Sequence, residues 1–269
     1  MSKSQFIILF ILIFCKLPAQ NIVAHYLVMS KFQKDKAVIN KDIFILDVVG
    51  LLSAFRSETD RRSDSLQSTG KFGLSKKTIF ENQINVQKNL GNNKISLIFV
   101  KPFMHDKFSV SLLEPLNWKI LEDKKIIGKF ETQKATVNFG GRKWIAWFSN
   151  NIPIHEGPYV FHGLPGLVVQ IEDEHQDYKF TLTAIKQSNQ NNLFHLKREK
   201  EISLEDFLKL KKDYYIDPYA DIKLQNIKYQ VVNVNGSPIE MNFKQLTENI
   251  QRHILKHNNP INLNMKVEY

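Results

Sequence analysis

Side chains able to share a metal ion or move a proton gather at only a few places in the 269-residue chain, and none of those places spells a complete catalytic set. His155-Glu156 begins like a zinc-protease motif. The next histidine is His162, beyond Gly157-Pro158, and no helix can carry both imidazoles on one face across that pair. Glu172-Asp173-Glu174-His175-Gln176-Asp177 puts carboxylates beside an imidazole but lacks the glycine of a calcium loop, so it reads as a polar hairpin turn. His253 and His257 have a spacing from which two imidazoles on a helix can share a metal. No carboxylate lies between them to act as a base, and near a helix C-terminus an imidazole complements the dipole, so a structural role is the better reading. Neither a Gly-x-Ser-x-Gly elbow nor a phosphate-cradling glycine loop occurs, and no cofactor or metal is implied. Triads assembled from distant residues leave little local trace. A metal-dependent or hydrolytic enzyme using His155 and His162, with Glu156 or the acidic turn, therefore stands as the second reading.

The stretch that must position these groups runs from Gln133 to Ile171. Gly140-Gly141 can take the positive φ angles of a two-residue hairpin turn. Counting outward sets Phe139 opposite Arg142, Val137 opposite Trp144 and Ala135 opposite Ala146, so Val137, Phe139, Trp144, Ala146 and Phe148 share a core-facing side. The other side carries Thr136, Asn138 and Lys143 near the turn but Ile145 and Trp147 farther out, and that apolar end calls for a cover. The expected cover is the segment after Asn150-Asn151, in which Gly163, Leu164, Pro165, Gly166 and Leu167 make a stiff bend. Leu164 to Leu167 fits a type II turn with Gly166 at positive φ. Residues 167–171 then read as a buried strand. Trp147, His155, Tyr159, Phe161 and His162 make the candidate binding surface on this reading.

Elsewhere, alternation and turn residues predict strands at 22–29, 43–49, 78–86, 94–100, 107–113, 126–130 and 178–185, the spacing of a meandering antiparallel sheet. Asp47 interrupts one of them and reads as a hydrogen-bonded structural carboxylate. Residues 31–41 read as a basic loop and 59–71 as an exposed polar one. Ser203 is placed to cap a helix, with Glu205 and Asp206 in its first turn and Ile202 able to staple against Phe207. A second helix is expected from Glu240 or Met241 to His257, with Phe243, Leu246, Ile250 and Ile254 on one stripe and Asn258-Asn259-Pro260 as its stop. The fold class is mainly β (α+β): a curved antiparallel sheet or half-barrel with one or two helices.

The run GRKWIAWF followed by NIPIHEGPYVFHGLPGLVVQI resembles the GLPGLI family, exported proteins of Bacteroidetes-type bacteria named after that loop. Here Val168 stands where the name has its final Ile. LDV at Leu46 to Val48, Ser53-Ala54-Phe55-Arg56-Ser57, Asp64-Ser65, Trp118-Lys119-Ile120 and Asn258-Asn259-Pro260-Ile261 also follow the family's habit, so the resemblance covers nearly the whole chain after its leader. It implies the cell envelope and neighbours such as an outer-membrane receptor. It brings no established activity and no assigned catalytic residues.

Phe6 to Cys15 is an apolar run after Lys3, with Leu17-Pro18-Ala19 at its exit, the pattern of a secretory signal peptide over residues 1–19. Residues 20–269 then form one β-rich domain. Cys15 is the single cysteine, so the processed chain has neither disulfide nor thiolate. Without Lys3 and Lys16 the formal charge goes from +10 to +8, a basic balance that suits an anionic ligand but, on a scatter of Lys and Arg in an exported protein, not nucleic acid. The leading expectation is an exported protein, periplasmic or associated with the outer membrane, that binds a lipid, peptide or partner protein without catalysis.

Overall fold

The computed structural model describes residues 21–269 apart from 35–37, 75–78, 104–105, 190, 195–198, 225–230, 233–234, 236–237 and 240–241. The expected leader at 1–19 lies outside the described residues, as do Thr78 and the expected helix start at Glu240 or Met241.

A 12-stranded sheet organises the chain. The strands are β1 (Ile22–Ser30), β2 (Asn40–Val49), β3 (Leu52–Ser57), β4 (Val86–Asn89), β5 (Lys94–Val100), β6 (Lys107–Leu112), β7 (Lys119–Ile127), β8 (Phe130–Phe139), β9 (Arg142–Ser149), β10 (Leu167–Asp173), β11 (Tyr178–Gln187) and β12 (Lys200–Glu201). Their order is β12-β6-β5-β4-β3-β2-β1-β11-β10-β9-β8-β7, so two meanders, β1 to β6 and β7 to β11, are joined where β1 meets β11. Neighbours in sequence lie side by side because their connections are short, and the β1–β11 seam is the long-range pairing. All pairings in this sheet are antiparallel except β12 with β6, and the sheet stays open, ending in β12 on one side and β7 on the other.

Alternation decides which face is covered. Ala24, Tyr26 and Val28 of β1, Phe55 of β3, Val86 of β4, and Trp144, Ala146 and Phe148 of β9 are buried on one side, here called the inner face. Above it lie the segment 150–166, α2 (Leu204–Ile216), α4 (Phe243–Lys256) and the C-terminal tail; Phe207 of α2 stacks on Phe99 of β5 at 4.0 Å. The short α3 (Ala220–Leu224) follows α2. On the outer face α1 (Glu58–Ser68) packs on β2 and β3.

The hairpin register is the expected one, with Phe139 opposite Arg142, Val137 opposite Trp144 and Ala135 opposite Ala146, and Gly140 and Gly141 at φ 60° and 73°. Three other expectations need correction. Residues 59–71 are largely the helix α1, because Ser57 caps Asp60 N–H and Asp64 is held by Arg56 and Lys107, partners a local reading could not see. The strand expected at 78–86 does not form over 79–85: β4 begins only at Val86 and runs on to Asn89, and Gln83 ties the irregular stretch before it to Val100. The strand expected at 126–130 spans a turn instead, since Gly128 at φ 59° folds β7 back on β8. With α1 and α3 added, the helices number more than the one or two expected.

Candidate functional site

The segment after β9 doubles back on the inner face of the sheet. Ile152 N–H bonds to Ser149, Gly163 N–H to His155 and Val168 N–H to Glu156, while Glu156 and His162 pair across a β-bridge, so residues 156–162 form a pinched finger. Its tip, Tyr159 to Phe161, is buried: Phe161 lies 4.8 Å from the Trp144 ring, and Tyr159 and Phe161 each stand 6.2 Å from Phe139. Trp118 closes over the finger and donates Nε1–H to the His162 carbonyl.

Lys88 grips the finger from β4. Its ammonium donates to the carbonyls of Gly157 and Phe161 and pairs with the Glu156 carboxylate, which also accepts from Ser53 Oγ at 2.8 Å. Both side chains are buried. Burial pushes the Lys88 pKa down and Glu156 pulls it back up, and three acceptors surround its three N–H groups. A lysine so engaged is a clamp and not a nucleophile. Sequence reasoning missed it; its one signal is a lysine on the inward-facing side of a strand beside Val86.

The bend itself differs from expectation. Gly163 has the positive φ, 86°, whereas Gly166 does not; Leu167 N–H bonds to Ile152, so the type II turn across 164–167 does not form. Gly166 is glycine because a Cβ there would lie 2.1 Å from the Ser149 carbonyl oxygen. Leu164 and Leu167 are buried, Pro165 is exposed, and the Leu164 carbonyl contacts His155 Nδ1 at 2.8 Å.

The residues expected to share one surface are therefore separated. Tyr159 and Phe161 are core, His155 is exposed, His162 is half-buried with Nδ1 2.9 Å from the Val160 carbonyl, and Trp147 points to the outer face. The finger covers Trp144, and Trp147 instead lies under Lys125 at 4.0 Å and Lys134 at 5.9 Å. The reason is alternation: a cover for one indole on β9 cannot reach the other. His253 of α4 stacks at 4.1 Å on His257, the residue that caps the helix, and Asp173 in the acidic turn pairs with Arg142. Among the described residues no three His, Cys, Asp or Glu side chains come together as a metal set.

With the inner face filled, open space lies at the rim. Arg142 anchors the tail that shapes it, donating to Asn259 Oδ1 and to the carbonyls of Pro260 and Ile261 while pairing with Asp173 and Asp177. The tail rests on the glycine turn, where a Cβ on Gly140 would come within 3.1 Å of Asn262. A groove of about 970 Å³ opens on one side, between β6, β12, the start of α2 and the tail. Its floor carries Val110, Leu112, Ile202, Leu210 and Met265, Leu113 stands 93 % exposed at its mouth, and Glu114, Glu201 and Asp206 outnumber Lys200 on its rim. β12 pairs with β6 only at Phe108 and Ser109, so among the described residues Val110 to Leu112 have no strand partner on that side. A second cavity of about 970 Å³ lies across the tail, lined by polar groups including Lys34, Asn138, Lys143 and His175, and shares Glu114, which accepts from Gly140 N–H and Asn264.

A family model described as a protein of unknown function, Porph_ging, matches residues 140–170, the stretch from the glycine turn to β10. None of the curated proteins matches the chain. Among solved structures it is similar to PNGF-II in its C2 crystal form, at 17% identity and TM-score 0.50 over 72% of this chain and 32% of that one. The P21 form gives 16% identity and TM-score 0.51 over 72% and 34%. The chain thus spans about a third of the length of those structures, and the likeness concerns the β-rich fold.

Proposed function

We propose that this chain is a GLPGLI-type protein of the cell envelope that binds, without catalysis, an extended polypeptide segment along the free edge of β6. The observation that carries the reading is the conjunction of an apolar groove with a strand edge that β12 leaves uncovered: the N–H and C=O of Ser111 face away from β5, on the side where Ser109 already accepts from Ile202 N–H, and the floor beside them takes alternate side chains. Glu201 is already paired with Lys94, so the rim's acidity rests on Glu114 and Asp206, which favour a peptide whose other side chains are basic over anionic lipid headgroups. Export and an outer-membrane neighbour are supported by the leader pattern and by the resemblance of residues 142–171 to that family.

The test is fluorescence anisotropy with an alternating Leu-Lys peptide, compared with alternating Leu-Glu and Ser-Lys peptides, on the native protein and on Leu113→Asp. Saturable binding of the Leu-Lys peptide alone, weakened about tenfold (1.4 kcal/mol) by Leu113→Asp at an unchanged unfolding midpoint, supports the reading. Equal binding of all three peptides, or indifference to the substitution, overturns it.

A further inference from the structure

The opposite edge of the sheet carries a second, independent feature. β7 is the terminal strand, exposed along most of its length, with Ile120 46 % and Ile126 72 % exposed. Edge strands are commonly protected by charge and by irregular pairing, and β7 has both, its ladder to β8 being interrupted between Ile120 and Lys124. Protection by charge alone would be served best by like charges. The order in β7 is different.

Ile120, Lys124 and Ile126 stand opposite Ala135, Gln133 and Glu131. Glu122 lies in the interrupted stretch without a partner on β8, and because Asp123 next to it turns to Lys134 on the outer face, alternation sets Glu122 on the side of Lys124 and that side of the edge reads Ile, Glu, Lys, Ile. That pattern is its own complement when reversed. An antiparallel pairing centred on Asp123 sets Ile120 against Ile126 and Glu122 against Lys124, each twice, as a two-fold axis requires. On the other face Asp123 meets its own copy, and there Lys134 of the same chain already lies 3.8 Å from the carboxylate.

We propose that β7 is a homodimerisation edge, on which a second copy of this chain pairs antiparallel about Asp123 and extends the sheet. The occupant is a second copy because the face carrying Ile120, Glu122, Lys124 and Ile126 is its own complement when reversed; the other face, where Leu121 meets Lys125 and Asp123 its copy, contributes no such match. Pairing covers Ile120 and Ile126 and satisfies the row of main-chain groups that β7 leaves open.

Sedimentation of the purified, processed protein over a micromolar concentration series tests this. The native chain is expected to dimerise. Glu122→Lys and Lys124→Glu, each creating two like-charge pairs, are expected to weaken the dimer about tenfold or more (at least about 1.4 kcal/mol). The double swap Glu122→Lys with Lys124→Glu restores self-complementarity, and so does an equimolar mixture of the two single variants. A native chain that stays monomeric across the series, single variants that dimerise as the native chain does, or a mixture that stays monomeric overturns the proposal. Since both positions are exposed, folding is monitored by an unchanged unfolding midpoint.

Discussion

Trp144 and Trp147 sit on the same strand and show how differently the two faces of the sheet are finished. Trp144 is fully buried, packed by Phe161 and Phe180, and its Nε1–H donates to the Phe139 carbonyl. Trp147 is half-buried beneath the ammonium groups of Lys125 and Lys134, which lie 4.0 and 5.9 Å from its ring. The inner face acquires a second layer from its own chain because a broad apolar surface must be buried by another element. The outer face of β8 and β9 needs only amphipathic side chains, since alternation makes it mostly polar already.

The largest expected effects test that asymmetry directly. Trp144→Ala should cost about 3–5 kcal/mol in urea unfolding, the range for emptying a buried aromatic site. Trp147→Ala should cost no more than about 1 kcal/mol, the order of an exposed cation–π contact. Equal costs would break the comparison. Glu156→Ala should cost about 3–5 kcal/mol by leaving the Lys88 charge buried and unpaired. Replacing the pair together, as Lys88→Met with Glu156→Leu, should recover most of that loss if the clamp's role is to place the finger.

A smaller effect is a dependence on pH. Burial lowers the His162 pKa, a shift opposed by its bond to the Val160 carbonyl, and His253 is lowered by burial and then by His257. The unfolded chain therefore takes up protons first as the pH falls. Stability is at its plateau above about pH 6.5 and declines below it until the folded-state values are passed. Unfolding midpoints between about pH 7 and about pH 5 should fall less steeply in His162→Gln than in the native chain. An identical slope would remove His162 from the account.

The hairpin, the buried strand β10 and the capped start of α2 were legible because each is written within a few residues: twin glycines between alternating runs, an apolar stretch after a bend, a serine before acidic residues. α1 was not legible, because its polar sequence resembles an exposed loop until Arg56, Asp47 and Lys107 arrive from neighbouring strands to pair with it. Nor was the reason for Gly166, which is a close approach by Ser149 and not a backbone angle. The groove escaped for a similar reason: Leu113, Glu201 and Met265 are far apart in sequence and share a wall only after the sheet and tail assemble.

From residues alone come the β-rich class, the register about Gly140-Gly141 and the pairing of glycine and proline with a bend, since these depend on dihedral preference and on a two-residue period that no distant contact alters. Which indole the bend would shelter was a different kind of question. Tyr159 and Phe161 are apolar enough to lie on either side of β9, and the choice rests on Lys88 and on Ser53, 103 residues from Glu156, meeting that carboxylate on the inner face. A charge can be taken into a core only where its partner waits, and the fold alone says where that is.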